Sequence, residues 1–237
     1  MDNTFPTRRA GLFESAVQKL FTRPARVVEI ENIGPYRLLT LGGDALRNAS
    51  WTAGDKIQIQ LGGWVQRTYT PLDWDADNGR LRILIFLHAD GPGTQWARAL
   101  RQGDSCVVFG PRKSVRLAEP QPSLIFFGDE TSVGLAAALT PAQILLEMNA
   151  PADNAGVLAM LGLQHAQLCA RHRDDAHIAG LGNQLLAMLQ AQPEAEIVLT
   201  GKASTIQHLT RLLRRQPGPA APRHSKAYWA TGKSGMD

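Results

Sequence analysis

The sequence predicts an α+β chain in two parts: an antiparallel β-barrel followed by an α/β segment built on a parallel sheet. Three observations carry this expectation. Short runs of strand-forming residues, separated by turn residues, fill the first half, as in an antiparallel barrel. Strands and helices alternate in the second half, as a parallel sheet requires. Between the halves, near Leu117–Pro122, Pro120 and Pro122 punctuate the chain. The expected division is therefore 1–118 and 119–237. A length of 237 residues suits one large domain or two small ones. The apolar fraction of 44% is enough to bury a sizeable core.

The elements follow in order. Residues 8–22 read as a helix, because Val17, Leu20 and Phe21 stand four, seven and eight positions after Phe13, and Pro24 ends it. Strands are then expected at Val27–Ile30, Tyr36–Leu41, Lys56–Leu61, Gln66–Pro71, Leu81–Leu87 and Cys106–Phe109, with one helix from about Thr94 to Leu100. Gly34-Pro35, Gly42-Gly43-Asp44, Gly62-Gly63 and Asp77-Asn78-Gly79 supply the turns. In the second half Ser123–Phe127 fits a buried strand. Thr140-Pro141 reads as an N-cap with proline at the first helical position. Val157–Leu163, Ala166–Ala170 and Glu196–Thr200 read as strands, Asn183–Leu189 and Thr205–Arg214 as helices. A Pro-rich loop (Pro217, Pro219, Pro222) leads to a tail containing Lys226-Ala227-Tyr228-Trp229.

Composition narrows the function. Net charge is +4, and the basic residues are spread along the chain instead of being concentrated on one element, so nucleic acid is not an expected partner. No run of about 18 apolar residues occurs, so no membrane insertion is expected. Met1-Asp2-Asn3-Thr4 carries an acid and no apolar stretch, unlike a secretory signal, and a cytoplasmic location is expected. The two cysteines, Cys106 and Cys169, are far apart and read as free thiols in a reducing compartment. His172 and His177 lie five apart without a ligand set around them, so no metal site is expected.

Three local constellations carry chemistry. Arg67-Thr68-Tyr69-Thr70 closes a strand, and alternation puts Arg67 and Tyr69 on one face, Thr68 and Thr70 on the other. A guanidinium grips phosphate, and a tyrosine can lie against a flat ring. The alternative is an ordinary strand with one exposed arginine. The second constellation runs from His88 to Ala97 and contains Gly91, Gly93 and Thr94. It opens a helix whose free N–H groups suit phosphate, with Thr94 as N-cap. A plain turn and cap, with His88 a structural strand-end residue, is the alternative. The third is Gly128-Asp129-Glu130-Thr131, after a buried strand, where open α/β sheets bind ligands. Asp129 or Thr131 can equally cap a helix there. The full Gly-x-Gly-x-x-Gly fingerprint is absent from this loop.

These segments, with Gly110-Pro111-Arg112 and Tyr228-Trp229 before Gly232, resemble in order the siderophore-interacting proteins, a ferredoxin-reductase-like group of ferric-siderophore reductases. The resemblance implies an FAD-binding barrel over 1–118 and an NAD(P)H- or ferredoxin-reductase-like α/β domain over 119–237. It implies FAD bound by Arg67, Thr68, Tyr69, Thr70, His88, Gly91, Gly93, Thr94, Asp129, Thr131 and Trp229. Electrons would come from NAD(P)H or a ferredoxin, and the partner would be a ferric siderophore, met by Arg223, Lys226 and Lys233. A monomer is expected. The chain departs from the family pattern at Leu72, Lys113, Lys202 and Ala230, where an arginine, a glycine, a glutamate and an arginine are usual. The alternatives are a general NAD(P)H:flavin reductase and a non-catalytic protein that only holds a siderophore or a flavin.

Overall fold

The computed structural model describes residues 22–62, 65–88, 90–118, 123–216 and 222–232. The helix expected over residues 8–22 lies outside them, except for Thr22, which opens the first strand. Seven strands form one antiparallel sheet: β1 (Thr22–Ile33), β2 (Tyr36–Gly42), β3 (Lys56–Gly62), β4 (Val65–Tyr69), β5 (Pro71–Asp75), β6 (Arg80–Phe86) and β7 (Ser105–Arg112). Their order is β4-β3-β7-β1-β2-β6-β5, a barrel-like sheet that does not close. Period-two alternation sends Leu39, Leu41, Ile57, Ile59, Leu81, Ile83 and Val108 into one core. Helix α1 (Pro92–Ala99) crosses between β6 and β7 and seals this core with Ala97.

The second sheet is parallel, in the order β10-β9-β8-β11-β12. Its strands are β8 (Leu124–Asp129), β9 (Gln143–Met148), β10 (Gln167–Ala170), β11 (Glu196–Lys202) and β12 (Arg223–Trp229). Helices α2 (Val133–Leu139), α3 (Ala155–Met160), α4 (Ile178–Ala191) and α5 (Ala203–Arg214) connect them. β8 is covered on both faces, so its run of Leu124 to Phe127 is continuously apolar. Phe126 enters the core shared with α2, α3 and Tyr36 of the first sheet, and Phe127 the core against α4 and α5.

Four expectations are corrected. Thr140-Pro141 does not start a helix: Thr140 takes a left-handed conformation (φ 46) and closes α2, and a proline just past a helix end is equally common. The apolar run Gln143–Met148 that follows is a central strand, and a short buried run cannot be assigned by periodicity alone. Val157–Leu163 is mostly helix: in α3 Val157 and Leu158 are buried while Ala159 and Met160 face outward, a one-sided pattern. The residues read as a tail form β12, paired in parallel with β11 from Arg223 to Trp229. The strand β5, not separated from β4 in the sequence reading, begins at Pro71 and pairs with β6.

Candidate functional site

β4 pairs with β3 so that Arg67 opposes Ile59 and Tyr69 opposes Ile57. This fixes Arg67 and Tyr69 on one face. The first turn of α1 comes up against them: a Cβ on Gly93 would lie 3.4 Å from Arg67 Cγ and 3.5 Å from the Tyr69 hydroxyl. The first two constellations are therefore one place. Gly91 is the N-cap and Pro92 opens the helix, and no side chain caps this end. Among the described residues nothing lies within 4 Å of a Cβ built on Gly91. Thr94 is not the N-cap that the sequence suggested. It sits in the first turn, buried, and its hydroxyl donates to the His88 carbonyl at 2.8 Å, because Pro92 already occupies the first helical position. His88 is exposed, with its ring stacked on Phe86 at 5.3 Å. The Arg67 guanidinium donates to the Gln66 carbonyl at 2.7 Å. Asp90, the nearby acid, is paired with Arg98 at 3.1 Å.

Thr68 opposes Gln58 on the other face of β4. Thr70, between β4 and β5, reaches the second sheet. Its carbonyl lies 3.8 Å from a Cβ built on Gly134, so α2 approaches closely.

The carboxyl edge of the second sheet carries a buried charged network. Asp129 ends β8 fully buried, and its Oδ1 accepts from the Thr131 N–H at 2.9 Å and the Thr131 hydroxyl at 2.5 Å. The Trp229 indole N–H donates to Asp129 Oδ2 at 2.6 Å. The capping reading of this loop is thus the arrangement found. Arg171, just after β10, donates to Glu130 Oε2 at 2.8 Å and stands 3.2 Å from Glu147 Oε1 and 3.9 Å from Asp129. Its guanidinium also lies 5.3 Å from the centre of the Trp229 ring. His177 Nδ1 accepts from the His172 N–H at 3.1 Å, which leaves Nε2 to donate to Glu147 at 2.6 Å. Burial pushes the Asp129 carboxyl up to about 6, against the pull of the bonds from Thr131 and Trp229. Burial opposes the charge on Arg171, yet Glu130 and Glu147 hold its pKa above the ordinary value. Burial also raises the hydroxyls of Tyr36 and Tyr228, so both stay protonated. Lys202, where the family usually has an acid, pairs with Asp175 at 2.8 Å.

Glu130, Glu147, Arg171, His177 and Tyr228 did not emerge as site residues from the sequence. Glu147 stands 30 positions from His177, and Arg171 stands 41 from Glu130; only the apolar strand ends around them gave a signal. Among the described residues no group of His, Cys, Asp and Glu is placed to hold a metal ion. Arg223 and Lys226 line a cavity of about 300 Å³ with Ser114, Val115, Thr200, His224 and Ser225. Lys226 Nζ donates to the Ser114 hydroxyl at 3.3 Å. Lys233 lies outside the described residues.

Residues 62–115 match the family model of the siderophore-interacting FAD-binding domain. The NADPH-dependent ferric-chelate reductase of Escherichia coli is 26% identical over 170 residues, covering 69% of this chain and 65% of that one. The mycobactin import ATP-binding/permease protein of Mycolicibacterium smegmatis is 26% identical over 239 residues, covering 89% of this chain. The chain spans only 26% of that relative's length. The crystal structure of a siderophore utilization protein from T. fusca covers 91% of this chain and 95% of its own, at 23% identity and a TM-score of 0.69. Phthalate dioxygenase reductase shares the fold with a TM-score of 0.72 at 13% identity, over 91% of this chain and 71% of its own. Over residues 62–115 the chain is thus similar to the siderophore-interacting FAD-binding domain, and its fold is that of phthalate dioxygenase reductase and the siderophore utilization protein.

Proposed function

We propose that the chain binds FAD and reduces iron held in a siderophore, releasing Fe(II), with electrons from NAD(P)H or a ferredoxin. The observation that carries this is the convergence of Arg67, Tyr69 and Gly93 at the uncapped start of α1. These groups fit the cofactor. A diphosphate needs cations and N–H donors. Arg67 supplies a guanidinium, the first turn at Gly93 and Thr94 supplies N–H groups, and Gly91 fronts open space. Tyr69 adds an aromatic ring on the same face as Arg67.

When bound, the flavin would supply the redox chemistry, taking hydride from a nicotinamide or single electrons from a ferredoxin and passing single electrons to Fe(III). The chain's residues do the rest. Arg67 anchors the anionic end, and Asp90 is kept from opposing it by its pair with Arg98. Thr68, Thr70 and His88 flank that anchor. Asp129, Thr131 and Trp229 act as supports of the neighbouring edge, since their polar atoms are bound to one another. Arg223 and Lys226 draw an anionic ferric siderophore toward their cavity, with Lys233 as the third cation. The iron is substrate: Fe(II) carries less charge than Fe(III) and binds hard oxygen donors less tightly, so reduction frees it. We assign 1–118 to the flavin-binding part and 119–237 to the reductase-like part, since the antiparallel sheet falls in the first range and the parallel sheet in the second. Free thiols at Cys106 and Cys169 suit a reducing, cytoplasmic location, and we take the chain to act as a monomer.

The test is anaerobic. FAD-loaded protein is mixed with NADPH, NADH or a reduced ferredoxin, and then with a ferric siderophore in the presence of a ferrous-chelator trap. Bleaching by one donor, recovery on adding the siderophore and trapped Fe(II) are expected. Iron transfer at the same rate without any donor overturns the reading in favour of a binding protein.

A further inference from the structure

We propose that Tyr36 is a positioning residue of the flavin site, tying the turn that opens α1 to the loop that follows β9 in the second sheet. The inference rests on the FAD reading above. Tyr36 begins β2 of the antiparallel sheet, yet it is fully buried and belongs to the core of the parallel one. Its hydroxyl donates to Asn154 Oδ1 at 2.6 Å, and the Asn154 amide donates in turn to the Ala150 carbonyl at 2.7 Å. Asn154 is buried as well, so neither group can turn to water instead. The same hairpin meets the loop a second time at Gly34: a Cβ there would stand 2.8 Å from the Asp153 carbonyl, and the backbone has φ +53. At its start the loop is fixed by Asn149, whose N–H donates to Glu130 Oε1 at 2.6 Å, within the Arg171 network.

Tyr36 is held just as firmly on the flavin side. It stands opposite Phe86 across β2 and β6, with the ring centres 5.2 Å apart. Phe86 stacks on His88 at 5.3 Å, with 13° between the planes. The Pro35 carbonyl accepts from the Leu87 N–H at 2.9 Å, so backbone as well as rings joins the two segments. The His88 carbonyl then accepts from the Thr94 hydroxyl at 2.8 Å, in the first turn of α1. A continuous series of contacts therefore runs from Asn154 through Tyr36, Phe86 and His88 to the N–H groups offered to a diphosphate. Packed side chains and hydrogen bonds of this kind carry coupling between separated groups. Removing the Tyr36 hydroxyl alone leaves the rings in place, strands a buried Asn154 oxygen without its donor, and loosens the loop against the hairpin.

The test is a double-mutant cycle of Tyr36→Phe and Asn154→Ala, which remove the two ends of one bond. Denaturant unfolding measures stability, fluorescence titration of the apoprotein gives the FAD dissociation constant, and visible circular dichroism of the loaded protein reports how the flavin is set. Each single variant is expected to weaken FAD roughly threefold to tenfold and to alter the visible spectrum. The double variant should bind FAD no more weakly than the weaker of the two, because one bond can be lost only once. Lower stability with an unchanged dissociation constant marks a purely structural tyrosine and overturns the proposal. Effects on FAD that add in the double variant overturn it as well, as do two single variants that both fail to fold; if only one fails, the dissociation constant of the other decides. Wild-type protein that takes up no FAD overturns the FAD reading itself, and the proposal with it; the other outcomes leave that reading standing.

Discussion

The indole N–H of Trp229 donates to the Asp129 carboxylate at 2.6 Å although β11 lies between their two strands. The bond passes over Gly201, and this explains the glycine. A Cβ there would stand 2.4 Å from Asp129 Oδ2, and the backbone has φ +108. Alanine would be strained in the backbone and would push the carboxylate away from the indole.

Gly201→Ala should therefore destabilise the fold by roughly 1–3 kcal/mol or more, since overpacking and a left-handed backbone each cost about that much. Chemical denaturation of the two proteins measures it. A change below about 0.5 kcal/mol, the usual size for a bland surface substitution, would show that Asp129 moves aside freely and that the bond to Trp229 is loose.

How far the sequence reveals this site depends on distance along the chain. The cluster of Arg67, Tyr69, Gly91 and Gly93 was legible because these residues lie within 27 positions, in one strand and at the start of the helix that follows it. β8 was legible because burial on both faces leaves a continuous apolar run. The network around Arg171 was not. Its partners come from the ends of three strands, and no local pattern says that Glu130 and Glu147 are inside the protein and not on a solvated surface. β12 was missed for the opposite reason: it is an edge strand whose His224, Ser225 and Lys226 read as polar tail. The N-cap was expected three positions too late, at Thr94 and not Gly91, because threonine is a good N-cap, whereas Pro92 sets the helix start.

Arg67→Ala should weaken FAD binding by roughly 1.5–3 kcal/mol, at least about tenfold, the worth of a charge-assisted hydrogen bond. Lys113→Ala, at an exposed position beyond β7, should change it far less. Titration of both apoproteins with FAD compares them directly. Equal dissociation constants in two folded variants would remove Arg67 from the phosphate site.

Arg223 and Lys226 make a different prediction. They line a cavity open to solvent, so their pull on an anionic chelate is screened over about 8–10 Å at physiological ionic strength. Replacing both with alanine should raise KM for an anionic ferric siderophore at low salt, with the difference shrinking as salt rises and flavin content unchanged. Identical KM values at low salt would move the substrate mouth elsewhere, toward Lys56 or Lys202.

The last prediction concerns Asp129 and pH. Burial raises its carboxyl from 3.8 to about 6 in the folded chain, while the unfolded chain keeps the ordinary value. Between these two values the folded protein binds the extra proton, so this group's contribution to stability falls as pH rises. The contribution is fully present below about pH 4 and is lost as pH passes through about 6. A shift of about two pH units corresponds to something on the order of 3 kcal/mol. The groups facing Asp129 are Thr131 and Trp229 through hydrogen bonds, and Glu130 and Arg171 through their charges; Arg171 is also bound by Glu130 and Glu147. Those other carboxylates titrate as well, so the readout is the difference between wild type and Asp129→Asn, in which an amide oxygen can still accept from Trp229. Denaturant unfolding of both proteins at several pH values between 4 and 7 gives that difference. It should favour wild type most at the acid end and decline by pH 7. A difference that is flat, or that grows with pH, would mean that Asp129 is ionised throughout and that Arg171 neutralises it more strongly than a 3.9 Å separation suggests.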